Sequence, residues 1–254
     1  MRYARNSYIK KKKKDKERRT HSVISYNRLQ QIHDSNKGTG DREAIHAFSY
    51  CLAVDDVYEY LWEKNKDIAV KTIESDFLRQ MENGSLQAER YVNFTIQDIG
   101  YLLKVTKMLK RMSAKVALPN DIKDFMKSRY SSYKSFADFM LKQYFFKGEP
   151  NIQQTPAMRK YLAYYRNLMD NEESLYFTVG LLPCSRLWVW LGNTLNIPPT
   201  NAYYTWKVGN MGGHPEKHYK ALLNKYLDTT EKVAKANGIF RAQMQNEHDF
   251  FLSS

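Results

Sequence analysis

The chain has 254 residues, 43% of them apolar and 14% aromatic, with a formal net charge of +13. Ten basic and two acidic side chains fall within residues 1–20, so +8 of that charge belongs to the leading segment. The other 234 residues share 30 basic and 25 acidic side chains. Such a composition excludes global disorder, and such a distribution removes most of the electrostatic case for a nucleic-acid binder.

Residues 1–52 are polar and basic, with the run Lys10–Lys14 and the stretch Asn36-Lys37-Gly38-Thr39-Gly40-Asp41. No hydrophobic period is sustained there, which predicts a disordered arm. From Ala53 onward apolar residues recur at helical spacing, and residues 53–254 are read as one domain. Asn83-Gly84 predicts a helix end with Ser85 capping the next helix, Pro119-Asn120 a further break, and Thr155-Pro156 an N-cap followed by proline at the first helical position. Pro198-Pro199, Gly212-Gly213-His214-Pro215 and Asn237-Gly238 predict later breaks. No alternating Val/Ile/Thr run is bounded by hairpin turns, so the fold class is all-α, with about eight helices around one core. In Gln87–Met112 the residues Phe94, Ile99, Leu102, Val105, Met108 and Leu109 form a stripe of period 3.6, with Lys104, Lys107, Lys110 and Arg111 facing elsewhere.

Cys51 and Cys184, the only two cysteines, make neither a disulfide framework nor a CxxC pair, which points to a reducing compartment. No stretch approaches the ~18 apolar residues of a membrane span, and the first residues lack the apolar core of a secretory signal. The expectation is a soluble, cytoplasmic protein, with a nuclear address open to the basic arm. Neither a membrane nor a nucleic acid is expected as a partner. There is no GxxxxGK[ST] and no GxGxxG, so no phosphate-cradling loop is supported.

Three polar residues stand where the pattern calls for apolar ones. Asp98 lies between Phe94, Ile96, Ile99 and Leu102, with Tyr101 on the same face. It is either solvated at the edge of the stripe or buried and in need of a partner. Cys184 follows Pro183 in the middle of a segment from Ser174 to Gly192. Proline removes the backbone bond to the carbonyl of Val179, so Cys184 is either a thiol presented to a cavity on a bent turn or, as free cysteines more commonly are, a small buried hydrophobe. Glu247 sits among Phe240, Met244, Phe250 and Phe251, either exposed on a short terminal helix or held beside aromatic rings with a raised pKa, as a general acid requires. His214 and His218 have the i, i+4 spacing of a metal pair, but Gly212-Gly213-His214-Pro215 places His214 outside the helix. No metal site is expected.

Taken together, these segments resemble the TenA family, also called thiaminase II. Ser75-Asp76-Phe77 through Glu82-Asn83-Gly84-Ser85-Leu86 to Gln97-Asp98-Ile99-Gly100-Tyr101-Leu102 is similar to the family's "HPF…DGTL…QDxxYL". Leu182-Pro183-Cys184, with Gly192 eight residues on, is similar to its "LPC…G". Asn246-Glu247-His248-Asp249-Phe250-Phe251 is similar to its "YExxFW". The resemblance covers about residues 57–251 and implies a single-domain heme-oxygenase-like helical bundle. It implies hydrolysis of the aminopyrimidine of thiamin or its breakdown products, without a cofactor, in a homo-oligomer, tetrameric in many of the family's members. It implies Cys184 as the nucleophile adding to the pyrimidine ring, Asp98 as the partner of the ring's amino edge, and Glu247 as the acid at a ring nitrogen. Tyr101 and Phe250 would stack on the ring, and Tyr161 would add a hydrogen-bond donor. Two positions depart from the pattern: Ser75 replaces the histidine of "HPF", and Asn210 or Met211 replaces the tyrosine of a "WxxxYGG"-like stretch after the cysteine. The resemblance also leaves room for a member that binds a pyrimidine-type ligand without efficient turnover.

Overall fold

A computed structural model describes residues 54–115 and 117–254. The basic arm, Cys51 and the histidines of residues 1–52 lie outside the described residues. These contain nine helices and no strand: α1 (Val57–Ile73), α2 (Asp76–Asn83), α3 (Ala88–Ser113), α4 (Asn120–Gln143), α5 (Pro156–Asn171), α6 (Ser174–Thr194), α7 (Tyr204–Met211), α8 (Glu216–Tyr226) and α9 (Thr230–Leu252). The all-α expectation holds, with nine helices against about eight. Several are short, α2 and α7 having eight residues each.

The core forms around α6 and α9. Every residue of α6 from Ser174 to Pro183 is buried, the pattern of a helix enclosed on all sides. α9 packs against α1, α5 and α6, α3 pairs along its length with α4, and α7 lies on α6. The α3 stripe is buried as its period demands, and its lysines are exposed. Thr155 caps α5 through its hydroxyl, which accepts from the Met158 N–H at 3.2 Å, with Pro156 at the first helical position.

Two expected boundaries are corrected. Ser85 does not cap the next helix. Gly84 takes a left-handed conformation (φ 79°), and the Leu86 N–H returns to the Gln80 carbonyl at 3.1 Å. Residues 84–86 therefore close α2, burying Leu86, and α3 begins only at Ala88. Nor does Asn237-Gly238 break a helix, since α9 runs through both. The Asn237 side chain accepts from Asn65 Nδ2 at 2.8 Å, and the flanking Ala236, Ile239 and Phe240 are buried. Tertiary packing outweighs the local preference of an Asn-Gly pair. Among the described residues no helix is long and apolar enough to cross a membrane.

Candidate active site

The site is assembled from α3, α4, α6 and α7 over a floor supplied by α5 and α9. Pro183 lies inside α6 without ending it. It deprives the Val179 carbonyl of its usual partner and is followed at once by Cys184, which is partly exposed and faces a cavity of about 270 Å³. Asp98 and Tyr101 from α3, Tyr133 and Phe136 from α4, Cys184 and Trp188 from α6, and Asn210 near the end of α7 line this cavity. The approach of α7 depends on Gly192. A Cβ there would stand 2.9 Å from the backbone nitrogen of Met211 and 3.2 Å from the carbonyl carbon of Asn210, so any larger residue would push the end of α7 off α6.

Glu247 and Tyr161 form the layer behind the cavity wall, both almost fully buried. The Tyr161 hydroxyl donates to Glu247 Oε1 at 2.5 Å, and the Trp188 indole N–H donates to Glu247 Oε2 at 3.0 Å. Both carboxyl oxygens are thus held by donors from two other helices, which fixes the rotamer. Tyr101 stacks on Tyr161 with ring centroids 5.2 Å apart. Its hydroxyl lies 2.9 Å from that of Tyr165, which in turn lies 3.4 Å from that of Tyr161. A chain of phenols thus runs from the cavity wall to Glu247.

The electrostatics follow from burial. Desolvation, with the charge of Glu247 added to it, lifts Asp98 from 3.8 to about 7. Desolvation also raises Glu247, against the hydrogen bonds from Tyr161 and Trp188 that favour its anion. Burial pushes the Cys184 thiol well above its ordinary value, as does the Glu247 charge, while hydrogen bonding by the Tyr101 hydroxyl pulls it down. Two carboxyls that resist ionisation together, Asp98 among them titrating at about 7, thus stand beside a thiol whose pKa is raised.

Of the six residues singled out in the sequence, Asp98, Tyr101 and Cys184 line one cavity, and Glu247 and Tyr161 lie directly behind it. Phe250 points elsewhere: it is buried and stacks on Phe94 at 4.7 Å, on a neighbouring surface depression. Of the two residues at the family's tyrosine position, Asn210 faces the cavity, whereas Met211 is 42% exposed. Trp188, Tyr133 and Tyr165 are further residues of the site that no motif marks. Trp188 and Tyr165 stand one helical repeat after Cys184 and Tyr161, and that i, i+4 spacing is their one sequence signal. Ser75 is buried, and its hydroxyl has no partner among the described residues. His214 lies before α8 and meets Glu216 at 3.2 Å.

The sequence matches no family model and no curated protein. Solved structures do match. A TenA homologue from Pyrococcus furiosus superposes with a TM-score of 0.65 at 15% identity, over 77% of this chain and 98% of that one. A protein from Silicibacter described as a TenA family transcription regulator gives 0.66 at 13%, over 78% and 95%. One from Sulfolobus solfataricus described as a TenA-like thiaminase gives 0.54 at 19%, over 76% and 92%. The chain has the TenA fold.

Proposed function

We propose that the protein hydrolyses an aminopyrimidine at the exocyclic methylene carbon of the ring, as a thiaminase II-type hydrolase of thiamin salvage. The observation that carries this reading is the convergence of Asp98 and Cys184 on one small cavity, with Glu247 fixed immediately behind them by Tyr161 and Trp188.

The chemistry suits those groups. An aminopyrimidine becomes electrophilic at a ring carbon when a ring nitrogen is protonated; burial raises the pKa of both Glu247 and Asp98, which makes either carboxyl a better acid partner for that nitrogen at neutral pH than an exposed one. Addition of the Cys184 sulfur moves an electron pair toward the protonated nitrogen. Return of that pair expels the amine from the exocyclic methylene as the amine takes up a proton. Water then adds to the methylene, and departure of the sulfur restores the ring, so the net change is C–N to C–OH with release of the amine. The flat wall of Tyr101 orients the ring for attack. The protein acts in the cytoplasm as a homo-oligomer.

The test is incubation of purified protein with aminomethyl aminopyrimidine and with thiamin, the hydroxymethyl product being followed by chromatography. Release that is lost in Cys184→Ala supports the reading; no release from either compound overturns it.

A second reading has one observation in its favour. Where the resembling family carries a tyrosine, Asn210 faces the cavity and its amide is turned back onto the Trp206 carbonyl at 2.7 Å. Without a phenol there, the site would bind a pyrimidine without efficient turnover. Calorimetric binding of the hydroxymethyl pyrimidine with no hydrolysis of its precursors supports this alternative.

A further inference from the structure

We propose that Tyr133 of α4 is a catalytic residue, a second phenol that donates to the Cys184 sulfur beside Tyr101 and steadies the thiolate as it adds to the ring and as it leaves. This rests on the hydrolase reading for the ring, and on the cavity itself for the contact with the sulfur.

The helix pattern sets the position of Tyr133. α4 buries Met126 and Ala137 and packs along α3. Tyr133 follows the first by two helical turns and precedes the second by one, so it shares their face. Its half-buried ring joins Tyr101 and Cys184 in the wall of one cavity.

The surroundings of the sulfur then divide by chemistry. Burial, the Glu247 charge and the Asp98 charge all oppose a thiolate there, whereas hydrogen bonds from Tyr101 and Tyr133 favour it. Tyr161 and Tyr165 of α5 and Tyr219 of α8 also feel the sulfur. Their hydroxyls are engaged elsewhere, by Glu247, Tyr101 and Ser185 respectively. The Tyr133 hydroxyl bonds instead within the cluster of Tyr101 and Cys184. Burial raises both phenols well above their ordinary value, which keeps them protonated and able to donate.

The stretch of α7 at the cavity makes a different use of its polar group, since the Asn210 amide is turned back onto the Trp206 carbonyl at 2.7 Å. α4 thus brings to the sulfur the phenol that α7 lacks. In the reaction, the thiol proton passes through the Glu247 carboxylate, which hydrogen-bonds Cys184, to the ring nitrogen. The sulfur electron pair forms the C–S bond as a ring pair moves to that nitrogen, and the reverse movement releases the thiolate at the end. A hydrogen bond to the sulfur is strongest when the sulfur is charged, so the Tyr133 hydroxyl favours both the attacking and the departing thiolate.

The experiment uses the full chain and Tyr133→Phe, which keeps the ring and removes only the hydroxyl, with Phe136→Ala in the same wall as control. Iodoacetamide labelling of the Cys184 peptide is followed without substrate from about pH 7 to 10.5, because only the thiolate reacts. Turnover of aminomethyl aminopyrimidine is measured separately. Tyr133→Phe is expected to slow labelling at pH 9 by ~10-fold and to move its rise to higher pH, as loss of a hydrogen bond to an anion warrants. Its kcat is expected to fall by ~10-fold or more with little change in KM. Phe136→Ala alters the wall without touching the sulfur's hydrogen bonds, and its labelling is expected to keep the parent's pH dependence. An unshifted profile in Tyr133→Phe overturns the proposal, as does an equal shift in Phe136→Ala. A shift confined to Tyr133→Phe, in a protein that hydrolyses neither aminomethyl aminopyrimidine nor thiamin, would leave Tyr133 at the sulfur and remove the hydrolase reading. Turnover by the parent with an unshifted profile in Tyr133→Phe would do the reverse.

Discussion

The Tyr161 hydroxyl and Glu247 Oε1 are 2.5 Å apart in the interior, and the other oxygen of the same carboxyl is held by Trp188. A carboxyl so placed has its geometry set by two donors and its charge opposed by burial. Tyr161→Phe removes one donor and leaves the buried oxygen unpaired, at a cost of about 1–3 kcal/mol. Urea denaturation should show a lowered midpoint with an unchanged slope. Glu247→Gln keeps the shape while removing the acid, and turnover is expected to fall by roughly 10²–10⁴-fold. Retention of full activity by Glu247→Gln would exclude Glu247 as the acid.

Asp98 makes stability depend on pH. Its carboxyl titrates near 3.8 when unfolded and near 7 when folded, so between those values the folded chain holds the proton that the unfolded chain has lost. Rising pH therefore favours unfolding across this window. Asp121, lowered to about 2 by Lys225 and Tyr226, acts below it. Asp98→Asn should flatten the decline between pH 4 and 7 and be more stable than the parent at pH 8. Parallel pH profiles of the urea midpoint in the two proteins would contradict the burial of Asp98.

Cys184 should be a slow thiol in the free protein. With its pKa pushed up by burial and by Glu247, little thiolate exists at neutrality, and only the thiolate reacts with alkylating agents. Iodoacetamide labelling, read on the Cys184 peptide by mass spectrometry, should be slow at pH 7 and still rising at pH 9. Glu247→Gln removes one cause of the shift and should accelerate it. A plateau below pH 8 would show a thiol already activated in the resting site.

The helical class, the α3 stripe and the Thr155-Pro156 start are legible in the sequence because each rests on local periodicity or on a capping side chain. Asn237-Gly238 misleads because its helical conformation is supplied by α1, through Asn65, a partner 172 residues away. The same division holds for the site. Asp98, Cys184 and Glu247 stand out as polar residues against apolar patterns, and all three lie at or directly behind one cavity. Trp188 and Tyr165 carry no such contrast, since an aromatic residue in a helix, half-buried as Trp188 or buried as Tyr165, reads as core until its polar atom is seen to meet a carboxyl or a phenol. Phe250 likewise stacks on Phe94, a contact between α9 and α3 that no motif spacing records.

Gly238 also yields a stability prediction. It is exposed within α9, and a Cβ there would meet nothing within 4 Å. Gly238→Ala should stabilise the fold by roughly 0.5–1 kcal/mol through helix propensity alone, seen as a higher urea midpoint. A destabilised variant would mean that α9 is not a continuous helix at that point.

Chemistry by Cys184 on an aminopyrimidine held beside Asp98 and Glu247 is tested by single-turnover mixing of excess protein with aminomethyl aminopyrimidine, quenched in acid and analysed by mass spectrometry. The hydroxymethyl pyrimidine is expected to form, with none formed by Cys184→Ala although that variant still binds the compound. Equal product formation by the parent protein and Cys184→Ala would contradict it.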